Sequence, residues 1–296
     1  MVKRTDEEIY ALVDRLIDKM TLPEKIGQIV QKPIGDTLDL GLLEDNGVVK
    51  GVKEGRVGMI ILPAQNKYQT LYDLQKLAVE QTRLGIPLLF NADVIHGFVT
   101  EFPLPIAASC SWDPEIVEET CKISAEETTC TGINYTNAPM VDIARDPRWG
   151  RIAEGAGEDP YLGEVMARAQ VRGFQGGKGM ENLANGHTMI ATLKHYVGYG
   201  AAEGGRDYNT CEISDNTLYN LYLRPFKAGV EEGAGSVMSS FNTINNVPVS
   251  GSRRMLKKFF VMSLALRELQ YPMQTLFMKQ CLMAIVKMPL NRATVA

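Results

Sequence analysis

The chain has 296 residues, of which 45% are hydrophobic and 22% charged, as is typical of a soluble globular protein with one large or two ordinary domains. Its formal net charge of −4 argues against nucleic acid and anionic membrane surfaces as partners. No apolar run approaches the roughly 20 residues that span a bilayer, and the five cysteines, without zinc-type spacing, predict free thiols in the cytoplasm.

Helices and strands are predicted to alternate along the chain. Capping boxes at Thr5–Glu8 and Thr21–Glu24 begin the first two helices. The later predicted elements are strand 56–62, helix 68–85, strand 86–93, helix 112–132 with Asp113 as N-cap, strand 137–144, helix 161–175, strand 189–198, helix 214–233, strand 236–242 and helix 252–260. This alternation predicts a parallel sheet with crossover helices, either a (β/α) barrel or a doubly wound sheet.

Polar side chains cluster where the predicted strands end, in NADVIHG, VDIARDPRWGR, TLKHYVGYG and VMSSFN. In a barrel, these carboxyl ends converge on one mouth, where the active site is built. The glycine-rich segment 174–186 follows a helix and lacks the spacing of a nucleotide-binding turn. We therefore expect a (β/α) barrel rather than a doubly wound sheet.

Segment 141–160, VDIARDPRWGRIAEGAGEDP, is charged, aromatic and glycine-rich. One interpretation is a salt-bridged loop that braces the fold. The other is a site for a polar, uncharged ligand, in which arginine and aspartate hydrogen-bond hydroxyl groups and Trp149 packs on a C–H surface.

The candidate site residues at the strand ends combine basic, acidic and imidazole side chains. Each has an ordinary structural explanation when it is taken alone, such as a turn cap, a core histidine or an ion pair. Together, without a phosphate-binding loop, they suit a multiply hydroxylated ligand such as a sugar. The chain has three histidines, none at i, i+4 spacing with another, so neither a metal site nor a cofactor is predicted.

Three segments, 144–163, 191–210 and 236–251, resemble in the right order the N-terminal barrel domain of glycoside hydrolase family three, which contains β-glucosidases and β-xylosidases. The resemblance runs from about residue 6 to about residue 260. It implies that residues 1–261 form most of a (β/α)8 TIM-like barrel domain, which is incomplete at its C-terminal end, and that a downstream α/β sandwich domain is absent. It also implies retaining hydrolysis of a β-glycoside, with a small-molecule glycoside as the partner.

The resemblance also assigns a set of sugar-binding residues. In the family, an Asp after an early strand, the last Arg of the RDPRWGR motif, a Lys-His pair, a later Arg and the pocket-lining residues of the VMSS segment hold the non-reducing sugar. The matching residues are Asp93, Arg151, Lys194, His195, Arg206, Met238 and Phe241. Arg145, Asp146 and Arg148 are then expected to brace the loop.

Alternatives stay open at this point. The N-acetylglucosaminidase branch carries a second histidine as acid/base, and this chain has Tyr199 there, which favours the branch whose acid/base comes from a downstream domain. A non-catalytic sugar-binding barrel and an aldolase-like barrel with Lys194 as a Schiff base are the other hypotheses.

The tail, residues 262–296, is interpreted as aberrant. The family has a "GF-G-VVSD" segment after Val261, whose Asp is the nucleophile, whereas this chain has neither Gly nor Asp there. Back-translation from Val261 with permitted codons and a shift of two bases spells DEFGFEGVTVSDAN, and the original frame resumes at ATVA. We therefore expect a frameshift that places Met273 where the nucleophile belongs, and an inactive chain.

Overall fold

The computed structural model describes residues 6–34, 43–44, 47–62 and 68–259. The predicted capping box at the second helix is present: the Thr21 hydroxyl accepts from the Glu24 backbone N–H, and the Glu24 carboxylate accepts from the Thr21 N–H at 2.8 Å. The box predicted at Thr5 and the tail from residue 262 lie outside the described residues. Within the described part of the chain, no helix combines the length and apolarity needed to cross a membrane.

The described helices and strands follow one another largely in the predicted order. The helices are α1 (Asp6–Lys19), α2 (Leu22–Gly27), α3 (Val48–Lys53), α4 (Tyr68–Glu80), α5 (Pro105–Ser109), α6 (Pro114–Thr129), α7 (Pro160–Gln175), α8 (Asp215–Thr217) and α9 (Arg224–Glu231). The strands are β1 (Gln31–Pro33), β2 (Met59–Ile61), β3 (Leu89–Ala92), β4 (Tyr135–Thr136), β5 (Thr192–Tyr196), β6 (Ser236–Ser239), β7 (Thr243–Ile244) and β8 (Val247–Pro248).

Six of these strands are parallel and lie side by side in chain order. β1 to β4 form one sheet, and β5 pairs with β6. Parallel bridges from Tyr135 to Ile190 and from Met140 to Lys194 link the two sheets. This order has no reversal point, which excludes a doubly wound sheet among the described strands. The described strands do not close into a barrel, so the eight-stranded closure stays a prediction.

The hydrophobic core lies between the parallel strands and the helices that cover them. Ile60 of β2, Phe90 of β3 and Leu193 of β5 are buried with Leu74 of α4 and Val171 of α7. Strands covered in this way carry continuous apolar runs, which is why they could be recognised in the sequence. β6 is only half-buried along its length.

Two predicted elements differ from the structure. Segment 137–144 is not a regular strand: it has one parallel bridge, at Met140, with separate backbone hydrogen bonds from Asn137 and to Ala138, and the ladder lies earlier, at β4. Helix 214–233 is divided by a π-helical turn, Leu218–Tyr222, in which the Leu223 N–H donates to the Leu218 carbonyl at 2.9 Å. Pro225 follows as one of the first residues of α9, where its missing N–H leaves no helical hydrogen bond unmade.

Candidate active site at the carboxyl ends of the strands

Lys194 and Asp93 form an ion pair across the parallel sheet. Lys194 is on β5 and is buried, while Asp93 directly follows β3 and has a side chain that is 54% exposed. The ammonium donates to both carboxylate oxygens, at 2.8 and 2.9 Å. The pair therefore places a partly open carboxylate in front of a buried cation.

His195 is held by a buried carboxylate beneath it. Both its backbone N–H and its ring Nδ1 lie 2.9 Å from Oδ2 of Asp142, in the irregular segment after β4. His195 and Asp142 are both buried. The ring packs edge-on against Tyr199, with centroids 4.9 Å apart, and lies 5.3 Å from the ring of Phe241.

Arg151 is fixed by a two-point ion pair within its own helical turn. Its Nε and Nη2 atoms each donate to one oxygen of Glu154 at 2.8 Å, in the 3-10 turn Gly150–Glu154. This hydrogen bonding raises the pKa of Arg151. Burial opposes ionisation of Glu154, but the hydrogen bond and charge of Arg151 outweigh it and lower the pKa of that carboxyl. The guanidinium carbon lies 5.5 Å from the centre of the Tyr199 ring.

Phe241 belongs to an aromatic wall with two tyrosines. It lies just beyond β6 and is 52% exposed. Its ring centroid is 5.5 Å from that of Tyr199 and 5.4 Å from that of Tyr208. The structure thus brings Phe241 together with His195, and Arg151 joins them through Tyr199.

Arg206 and Met238 are less closely tied to this cluster. Arg206 is exposed, and its Nε donates to the backbone carbonyl of Glu203 at 3.3 Å. Met238 is half-buried on β6. Within the described residues, neither makes a hydrogen bond or ring contact with the other five predicted sugar-binding residues.

The interpretation of Trp149 as a ligand-packing surface is wrong. Trp149 is 0% exposed and packs edge-on against Tyr199 at 5.3 Å, while its indole N–H donates to Asp207 at 2.9 Å. A side chain with no accessible surface cannot meet a ligand. The loop itself is braced as expected, because Arg148 donates to Asp146 at 2.9 and 2.6 Å.

Comparison with known proteins decides the family. The family model described as "Glycosyl hydrolase family 3 N terminal domain" matches residues 21–264. The chain belongs to this family. The resemblance predicted from the three sequence segments is therefore confirmed.

The family relatives are longer than this chain. A periplasmic beta-glucosidase of Salmonella typhimurium is 38% identical over 256 residues, which cover 86% of this chain and 32% of the relative. A solved beta-glucosidase from Listeria innocua in complex with glucose has 35% identity and a TM-score of 0.78, over 86% of this chain and 36% of that one. A solved exo-1,3/1,4-beta-glucanase from a Pseudoalteromonas species has 27% identity and a TM-score of 0.79, over 88% of this chain and 43% of that one. The chain thus spans about a third of the length of the first relatives it matches.

The family resemblance aligns Tyr199 with the acid/base histidine that one branch of the family carries. Its side chain is buried against Trp149 and His195. Burial, and then the neighbouring Asp207, raise the pKa of the phenol above its ordinary value. A phenol that holds its proton this firmly is unsuited to proton exchange near neutral pH.

The sequence pattern does not single out three residues of this cluster: Asp142, Glu154 and Tyr208. Asp142 lies in the predicted strand 137–144, where an isolated acid within an apolar segment is a signal that a buried partner exists. Glu154, three residues after Arg151, has the spacing of a helical ion pair. Nothing in the local pattern around Tyr208 pointed to the aromatic wall.

Proposed function

We propose that the described residues form the sugar-binding part of a retaining β-glycosidase. The proposed activity is that of a β-glucosidase, which releases the non-reducing terminal sugar. The observation that carries the proposal is the ion pair of Asp93 with Lys194 beside the buried His195, near the carboxyl ends of β3 and β5. The similar Listeria innocua enzyme, whose solved complex contains glucose, supports a sugar as the ligand.

The chemistry of these groups suits hydroxyl recognition. A sugar hydroxyl both donates and accepts, and charged partners make the stronger hydrogen bonds. Asp93 offers acceptor oxygens on its exposed side, and the Lys194 ammonium has one more N–H than the two oxygens of Asp93 use. Phe241 offers an apolar face for the C–H surface of the ring.

Retaining hydrolysis needs two further carboxyl groups about 5–5.5 Å apart. One attacks the anomeric carbon to form a glycosyl-enzyme, and the other protonates the leaving oxygen and then activates water. The described carboxylates around the cluster already have partners: Asp93 with Lys194, Asp142 with His195, Glu154 with Arg151, and Asp207 with Trp149. We therefore propose that the nucleophile belongs at the position of Met273 and that the chain as given binds sugar without hydrolysing it.

The complete domain is proposed to be a (β/α)8 barrel. Six parallel strands in chain order support this, since a singly wound sheet that continues by two strands closes in that form. The half-buried β6 is the edge at which the next strand of the domain would pair.

Two measurements on the chain test the proposed function. We expect calorimetry to detect binding of glucose and an aryl β-glucoside assay to detect no turnover, whereas the complete gene product in the restored frame hydrolyses the aryl β-glucoside. Turnover by the 296-residue chain would overturn the assignment of the nucleophile to Met273. A complete product that cleaves only N-acetylglucosaminides would overturn the β-glucosidase assignment, which the buried Tyr199 supports.

A non-catalytic sugar-binding barrel is the second candidate. Each carboxylate named above already has a hydrogen-bond partner, whereas a nucleophile must be available to the anomeric carbon. For this chain, that observation favours the non-catalytic candidate. Glucose binding by a complete, in-frame product that shows no turnover on any β-glycoside would favour this candidate over the enzyme.

A further inference from the structure

Asp142 uses one oxygen for two hydrogen bonds to His195 and leaves the other without a partner. Oδ2 lies 2.9 Å from the backbone N of His195 and 2.9 Å from its ring Nδ1. Oδ1 is buried and has no hydrogen-bond partner among the described residues. A buried carboxylate in this state is not the arrangement that best stabilises a fold, since an apolar side chain of similar volume avoids the desolvation cost.

The shared oxygen fixes which ring nitrogen carries the proton. A backbone N–H can only donate, so Oδ2 must act as an acceptor at that contact. An ionised carboxylate is acceptor-only, and it therefore also requires a proton on Nδ1 of His195. A neutral imidazole has one ring proton, so a neutral ring with its proton on Nδ1 has none on Nε2.

Two aromatic rings restrict the orientation of the imidazole. Tyr199 meets it edge-on at 4.9 Å with an interplanar angle of 72°, and Phe241 lies 5.3 Å away at 49°. Nε2 of His195 makes no hydrogen bond within the part of the chain that the structure describes. The nitrogen left free is thus on a ring that also contacts the exposed Phe241.

We propose that Asp142 is the positioning residue of His195. It holds the ring with Nδ1 protonated and leaves Nε2 as the nitrogen that meets a sugar hydroxyl. The second part rests on the proposed sugar-binding function, whereas the assignment of the proton to Nδ1 does not. Asp142 itself touches no ligand in this arrangement and acts only through His195.

The first test is the ring-nitrogen spectrum of His195 in the sugar-free chain. The chain has three histidines, so 15N-histidine labelling gives few signals, and a His195→Gln variant identifies those of His195. We expect a protonated Nδ1 and an unprotonated Nε2 in the neutral ring. The opposite tautomer would overturn the proposal, whether or not the chain binds sugar.

Two substitutions then separate positioning from packing. In Asp142→Asn, the amide oxygen can take the place of Oδ2 and accept from both donors, so we expect the Nδ1-protonated ring to persist. In Asp142→Ala, both donors lose their acceptor, and we expect a mixture of tautomers. The matched control is Asp113→Asn, which changes a carboxylate that caps α6 by accepting from the Ile116 N–H and should leave the His195 signals unchanged.

Glucose titration of the same variants provides the functional readout. We expect addition of glucose to shift the Nε2 signal more than the Nδ1 signal in the unmodified chain. Asp142→Ala should raise the dissociation constant for glucose about tenfold, with Asp142→Asn restoring most of the affinity. A folded Asp142→Ala variant that keeps the His195 ring signals and the glucose affinity of the unmodified chain would overturn the proposal. If that variant does not fold, the spectrum of the unmodified chain still decides the tautomer. If no variant or unmodified chain binds glucose, the proposed function fails while the tautomer result stands.

Discussion

Replacing Trp149 by alanine distinguishes a core side chain from a sugar-packing one. The indole is fully buried, packs against Tyr199 and donates to Asp207 at 2.9 Å. Truncation of a buried tryptophan to alanine costs about 3–5 kcal/mol. The lost hydrogen bond adds little, about 1 kcal/mol at most, because Asp207 is exposed to water. We therefore expect Trp149→Ala to lower the free energy of unfolding by about 3–6 kcal/mol.

Urea unfolding followed by far-UV circular dichroism measures this loss without depending on tryptophan fluorescence. Trp112 provides the matched control, since its side chain is 76% exposed and its replacement by alanine should change stability by less than about 0.5 kcal/mol. A loss of about 3–6 kcal/mol is a large part of the stability of an ordinary domain, about 5–15 kcal/mol. Trp149→Phe, which keeps a ring in the site, should lose about 1–2 kcal/mol and stay folded.

Fluorescence gives an independent check on the same residue. The chain has two tryptophans, so Trp149→Phe leaves the exposed Trp112 as the remaining emitter. We expect the emission maximum of this variant to lie at longer wavelength than that of the parent chain, and its emission to be fully quenched by iodide. A Trp149→Ala variant that loses less than about 1 kcal/mol but no longer binds glucose would refute the reasoning. It would mean that the indole faces the sugar, as one interpretation of the sequence held.

Three further changes test other parts of the molecule. In a complete enzyme, Asp93→Ala should lower kcat/KM for an aryl β-glucoside by more than about 100-fold, since a charge-assisted contact to the sugar is worth about 3 kcal/mol. Gly200→Ala should cost about 1–3 kcal/mol in urea unfolding, since a strain of this size follows from overpacking. The added Cβ atom would lie 2.3 Å from the carbonyl oxygen of Ile143. Burial raises the pKa of the Cys121 thiol from 9.0 to about 12. Between these two pH values, the folded state therefore keeps a proton that the unfolded chain releases. The stability from this group is therefore present below pH 9.0 and is lost as the pH rises towards about 12, which urea titrations over that range measure.

Each of these expectations has a result that contradicts it. Near-normal kinetics of Asp93→Ala would show that Asp93 only caps a turn. Gly150→Ala is the control for Gly200→Ala, because nothing lies within 4 Å of a Cβ atom there, and equal losses for the two would contradict the packing. A Cys121→Ala variant whose unfolding has the same dependence on alkaline pH as the parent chain would remove the thiol as a cause.

The sequence by itself determined the family and the order of the elements. Segments 144–163, 191–210 and 236–251 carry the family resemblance, and the family model matches the chain across them. Local signals were also sufficient where their cause is local. Thr21 and Asp113 cap their helices as predicted, since a cap needs only backbone N–H groups within three residues.

The tertiary structure decided which side chains meet. Lys194 and Asp93 are 101 residues apart in the chain, and His195 and Asp142 are 53 apart, yet both pairs are in hydrogen-bond contact. Periodicity identifies the buried face of an element but carries no information about what is packed against it. The partner of each polar residue therefore had to come from the fold.

Trp149 is a residue whose burial the local sequence did not predict. Its neighbours in sequence are charged and glycine-rich, which is the composition of an exposed loop, and on that basis a ligand-packing surface was a reasonable expectation. The structure buries the indole because the chain returns as the turn Tyr199–Ala201 and covers it with the ring of Tyr199. Burial depends on the whole packed chain. Trp149 is shielded from water by a residue some fifty positions later in the sequence, and the local sequence pattern carries no information about that contact.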